Sequence, residues 1–263
     1  MFRGCQWRSR NYGKPKEKWF MDPELKNLQQ RANRAHEVVG ATRAVLGEMA
    51  IPANERSSVV IPLALASLDL AEATFALLVN RTARLWVPAV GMRRLQIEHV
   101  MRAAFFAAAA TPQEIDRFRF NGDMPKRAPV TTACQGRQSK SRPMSLREVV
   151  AEACGHLGWD AAKMLSFVKE QHGPLSGVVH GGKEILGIYT MHDVWGDLTI
   201  PWTDLQDEVD NTMVFVQLAM GVSMALSPME AAELSEVVRP VYESAHAFFR
   251  ERPPSSAGDA PEH

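Results

Sequence analysis

Two long apolar stretches, Val59 to Val79 and Ala83 to Ala110, constrain this chain more than any other feature. About twenty apolar residues are enough to cross a bilayer as a helix, so both must first be tested as membrane spans. Their charges decide against it. The first holds Asp69 and Glu72 in mid-segment, and the second holds Arg93, Arg94, Glu98 and Arg102. Each charge would cost roughly 2.5 to 3.5 kcal/mol at the centre of the hydrocarbon. The stretches are therefore expected to be buried helices of a bundle, with no membrane partner.

Helix signals extend over most of the remaining chain. A first amphipathic helix is expected from Pro23 to about Met49, a second over about Glu55 to Asn80 and a third over about Trp86 to Ala110. Thr111-Pro112-Gln113-Glu114 and Ser145-Leu146-Arg147-Glu148 are capping boxes that start helices to about Phe120 and Leu157. Asp160 caps another to about Gln171, and Pro174 to Leu186 forms a separate Gly-punctuated piece. Thr203 caps an apolar helix to Leu226, and Ser227-Pro228 opens the last one, to about Arg250. The expected architecture is an all-α helical bundle, with a short irregular or β-hairpin excursion near 187–202.

A single helical domain over residues 21–252 is expected, flanked by a disordered basic extension at 1–20 and a disordered tail at 253–263. Met21 stands before the N-cap pair Asp22-Pro23, which makes it an expected alternative start of translation. Residues 121–143 carry Lys126, Arg127, Arg137, Lys140 and Arg142 against Asp123 alone and read as a mobile basic loop. Thirty basic and thirty acidic residues balance, so the average field gives no reason to expect a strong polyanion binder. Three cysteines without CxxC spacing, and no apolar run near the start that could act as an export signal, suggest a reducing cytoplasm.

The chemistry-bearing residues concentrate in the third helix. Arg94, Glu98 and Arg102 lie one turn apart on one face, and Asp69 and Glu72 lie one turn apart on the preceding helix. The economical arrangement pairs the two helices through these charges, because an unpaired buried charge is costly while Arg and carboxylate satisfy each other. Such a network either fixes the register of two core helices or lines a polar pocket. Ser176 and His180 share a later helical face just before Gly181-Gly182 and are expected to join the polar site. His172, His180 and His192, with Asp193 or Glu184, match no compact ligand spacing, so neither a metal nor another cofactor is expected. Gly-rich phosphate loops, GxSxG elbows and HExxH helices are missing from the sequence.

Arg94-x3-Glu98-x3-Arg102, the pair Phe105-Phe106 and the later Ser176-Gly-Val-Val-His180-Gly-Gly resemble patterns of bacterial helical families similar to the HEPN superfamily. The likeness spans about Pro23 to Arg250. It implies an HEPN-like bundle and, as some members are toxin or anti-phage ribonucleases, a metal-independent ribonuclease with Arg94 and His99 as its chemical pair. Under that reading RNA is the partner and a homodimer duplicates the site, although Leu95 stands where the pattern prefers a polar residue. The alternatives are a bundle with an internal Arg/Glu/His polar site and no assigned reaction, or a protein-interaction adaptor. The adaptor would use Met213, Phe215, Met220, Met224 and Phe248-Phe249 as its contact surface.

Overall fold

A computed structural model of the chain describes residues 23–79, 85–127, 142–183 and 202–251. It is an all-α bundle. Among the described residues there are eight helices: α1 (Pro23–Glu48), α2 (Ser57–Leu78), α3 (Trp86–Ala108), α4 (Pro112–Asn121), α5 (Leu146–Leu157), α6 (Ala161–Val179), α7 (Trp202–Met224) and α8 (Ala231–Arg250). Two short strands, β1 (Lys126–Arg127) and β2 (Arg142–Pro143), pair antiparallel with Lys126 opposite Pro143.

The most apolar helices lie in the middle, as burial of apolar surface requires. Helix α2 packs along α3, and α7 lies against both. Leu68, Ala71, Phe75 and Leu78 of α2, Ile97, Val100, Met101 and Phe105 of α3, and Leu205, Val209 and Phe215 of α7 form one continuous core. Among the described helices α2 alone is long and apolar enough to cross a membrane. Here it is a core helix, and its two acids meet Arg43 of α1. A smaller cluster joins Val45 of α1 and Met49 just beyond it, Met220 of α7, and Val238 and Val241 of α8.

The local stop and start signals work through hydrogen bonds that helix ends otherwise lack. Thr111 and Ser145 each accept from the N3 backbone, and Glu114 and Glu148 each return a bond to the cap residue. Asp160 accepts from Lys163 N at 3.0 Å. Gly122 and Gly158, at φ 72° and 69°, end α4 and α5 in the left-handed conformation that glycine adopts without a Cβ clash.

Two helix boundaries set out here differ from the sequence reading. Helix α6 runs unbroken through Gly173-Pro174, so the expected separate piece from Pro174 is its last turns. Proline removes one intrahelical N–H, a loss the packed helix tolerates here. The final helix begins at Ala231, with Glu230 and not Ser227 at its N-cap. Ser227 Oγ instead accepts from Met229 N, which closes a local turn before the helix. Of the basic segment at 121–143, residues 128–141 lie outside the described residues; beside them Arg127 bonds Glu114, Glu152 and the Ala109 carbonyl, and Arg142 bonds Glu148. The extension at 1–20, the tail at 253–263 and the excursion near 187–202 lie outside the described residues, apart from Trp202, which opens α7.

Candidate functional site

The expected ladder on α3 is present. Arg94 Nε lies 3.3 Å from Glu98 Oε1, and Arg102 Nη2 lies 3.2 Å from Glu98 Oε2. Its partners come from α6, the helix that carries Ser176 and ends at His180, and not from α2. Asp69 and Glu72 do not pair with it, because Arg43 of α1 takes them both, Asp69 at 2.5 Å and Glu72 at 3.1 Å. Asp69 is 69% exposed, at the rim of the α1–α2 contact, so this pair borders solvent and belongs to no pocket with Arg94. The α2–α3 interface closes instead through apolar side chains such as Leu68, Ala71 and Phe75.

Helix α6 supplies the facing groups. His172, Ser176 and His180 recur at the same four-residue interval as Arg94, Glu98 and Arg102, so two parallel stripes of polar side chains oppose one another across the α3–α6 contact. His172 Nε2 is 3.2 Å from Glu98 Oε1 and 3.4 Å from Arg94 Nε. The shorter, charge-assisted contact places the Nε2 proton toward Glu98. Nη1 of Arg94 donates to Nε2 of His180, so the second imidazole acts as an acceptor. Helix α6 ends at His180 because Gly181, at φ 72°, turns the chain and Gly182 N bonds back to the Gly177 carbonyl. Ser176 is half-buried on the same stripe, and its carbonyl accepts the His180 N–H.

Four of these side chains line a cavity of about 300 Å³, which His180 and Ser176 do not reach. Arg94, Glu98, Arg102 and His172 form its polar side, and Met124, Met144, Leu146 and Val149 its apolar side. Glu98 has both oxygens engaged by cationic or imidazole donors, which makes it the post on which the two guanidinium groups are held. Two arginines against one carboxylate leave an excess of positive charge facing a partly enclosed space. Such a space strengthens electrostatic interactions relative to bulk water. No group of three or more His, Cys, Asp or Glu among the described residues could hold a metal ion. Of the histidine set weighed for metal binding, His192, with Asp193 and Glu184, lies outside the described residues.

His99, the other half of the Arg-x4-His spacing, is turned away from this cavity. Five residues of helix separate it from Arg94 by roughly 140° about the axis. Its Nδ1–H donates to the Leu95 carbonyl at 2.7 Å, beside the exposed Leu95 side chain. The apolar residues offered as an adaptor surface are mostly interior: Met213, Phe215 and Met220 are fully buried and Phe248 nearly so, while Phe249 is exposed.

A second set of buried charges lies between α3 and α7. Arg93 Nη2 meets Glu208 Oε2 at 3.1 Å, and one turn further along both helices Gln96 Nε2 donates to the Thr212 carbonyl at 3.1 Å. Among the described residues Glu208 Oε1, Arg93 Nε and Nη1, Gln96 Oε1 and Thr212 Oγ1 have no hydrogen-bond partner. Burial pushes the Glu208 carboxyl up to about 7, because desolvation outweighs the single contact with Arg93. The same desolvation lowers Arg93 from its ordinary value, against the attraction of Glu208 and Asp207. Four acids, Asp204, Asp207, Glu208 and Asp210, crowd the first half of α7, and Asp210 likewise meets buried Arg31 at 2.5 Å.

No family model, no curated protein and no solved structure matches the chain.

Proposed function

We propose that this protein is a cytoplasmic helical-bundle protein that binds a small ligand through a carboxylate or phosphate group at the Arg94–Glu98–Arg102–His172–His180 cluster. One observation carries the reading: two guanidinium groups, held apart by a single carboxylate, border a cavity with an apolar opposite wall. Planar guanidinium forks suit carboxylate and phosphate oxygens, and the apolar wall suits the remainder of a small molecule. Arg102 contributes one nitrogen to Glu98, and among the described residues its other N–H groups have no protein acceptor. A ligand oxygen is the natural partner for them.

Titration calorimetry with inorganic phosphate and with acetate tests the reading. Binding of either is expected, lost in Arg94→Ala and weakened at least tenfold in Arg102→Ala. Full retention of binding in both variants would sink it.

A second reading, metal-independent ribonuclease action by an HEPN-like homodimer, draws support from the contact of Arg94 with two imidazoles. Imidazole can move the ribose hydroxyl proton while a guanidinium stabilises charge developing on phosphate. In this form of the reading His172 and His180 replace His99 as the bases. RNA cleavage that survives in His99→Ala but disappears in His172→Ala and His180→Ala is its expected signature. Cleavage that depends on His99 would instead favour the Arg94–His99 pair.

A further inference from the structure

The anion site continues into a second concavity. Between α5 and α6 runs a groove of about 570 Å³ that shares Leu146 and His172 with the smaller cavity. Its wall is aliphatic, formed by Leu146, Ala162, Leu165 and Val168, and Arg147 and Lys169 stand on its lining. This composition narrows the chemistry of an occupant. A nucleobase gains most from an aromatic platform, and the lining holds no Phe, Tyr or Trp; its one ring, the His172 imidazole, is bonded to Glu98. An acyl or alkyl chain gains from aliphatic contact alone, at about 0.8 kcal/mol for each methylene fully buried. The cationic residues on the lining match the sign of the cluster at the groove's inner end, so the whole path favours an anion over a cation or a neutral lipid. The volume falls within the range of one drug-sized ligand.

We infer that the ligand of the Arg94–His172 site is a single-chain amphiphilic anion, whose carboxylate or phosphate head meets Arg94 and Arg102 and whose aliphatic chain lies in the α5–α6 groove. This rests on the anion-binding reading above and adds the identity of the ligand's other half. His172 stands where the two parts meet, with its Nε2 toward Glu98 and its ring shared by both concavities.

Calorimetry on the full chain with inorganic phosphate, ethyl phosphate and octyl phosphate, all as monomers, tests it. Octyl phosphate is expected to bind at least tenfold tighter than ethyl phosphate. A fully buried methylene corresponds to about fourfold, so a groove that covers only part of the chain suffices. Ala162→Trp and Ser166→Trp, at exposed positions on the groove side of α6, should erase the chain-length gain and leave inorganic phosphate binding within twofold. If inorganic phosphate binds and the three affinities are equal, the chain has no groove and the inference fails while the anion site stands. If none of the three binds, the anion site itself is wrong. Binding to phosphatidic acid vesicles without binding to monomeric octyl phosphate would replace the single-chain ligand with a membrane surface and overturn the proposal.

Discussion

Replacing Glu208 with Gln separates the cost of burying a charge from the cost of losing a contact. Glu208 is 4% exposed, one oxygen meets Arg93, and the other has no hydrogen-bond partner among the described residues. Its carboxyl titrates at about 7 in the folded protein, against an ordinary value of 4.5. That gap corresponds to about 3 kcal/mol. The folded state takes up this proton at higher pH than the unfolded chain does. The resulting stability is therefore fully present below pH 4.5 and is lost as pH rises through about 7. Urea unfolding followed by tryptophan fluorescence, at intervals from about pH 5 to about pH 8, measures it. Wild type is expected to lose about 2.5 kcal/mol over that range relative to Glu208→Gln, whose amide cannot ionise. The other titrating groups cancel in the difference between the two proteins. Parallel stability profiles would refute the reasoning, because they would mean that Arg93 fully compensates the buried carboxylate.

Further outcomes follow from the same structure. Arg93→Met should cost about 3 to 5 kcal/mol at about pH 8 by stranding Glu208, and adding Glu208→Leu should recover most of that loss in a double-mutant cycle. Phe105→Ala should cost about 3 to 5 kcal/mol in urea unfolding. Its ring is fully buried, edge-on to Phe106 at 5.3 Å and beneath the Arg127 guanidinium. Asp69→Ala should change stability by less than about 1 kcal/mol and leave phosphate binding unaltered, since Asp69 is an exposed partner of Arg43. A loss of phosphate binding in that variant would restore Asp69 to the site.

The mismatch between the two kinds of charge pairing is instructive. Asp69–Glu72 and Ser176–His180 both stand at helical spacing, and both are expected at the site of Arg94. Proximity in sequence favoured the acids of the preceding helix. The acids nevertheless went to Arg43, because α2 turns its fully buried Leu68, Ala71 and Phe75 into the core and leaves Asp69 at the rim of its contact with α1. Histidine at 172 drew attention only as a metal ligand, since an imidazole that bonds a carboxylate leaves no compact motif. Arg93, one residue before the ladder, was counted among the charges of its helix, but the burial of its partner depended on the placement of α7, distant in sequence.

Local rules alone therefore settled the helices, both capping boxes and the spacing that puts Arg94, Glu98 and Arg102 on one face. Each depends on interactions within about one turn of chain, where backbone geometry leaves few choices. Which stripe meets which was decided by the tertiary structure. A helix fixes the relative directions of its own side chains but is free to rotate and slide against its neighbours until the shared core is filled. The meeting of Arg94 with His172 and His180, and the burial of Glu208 beside Arg93, are products of that global packing.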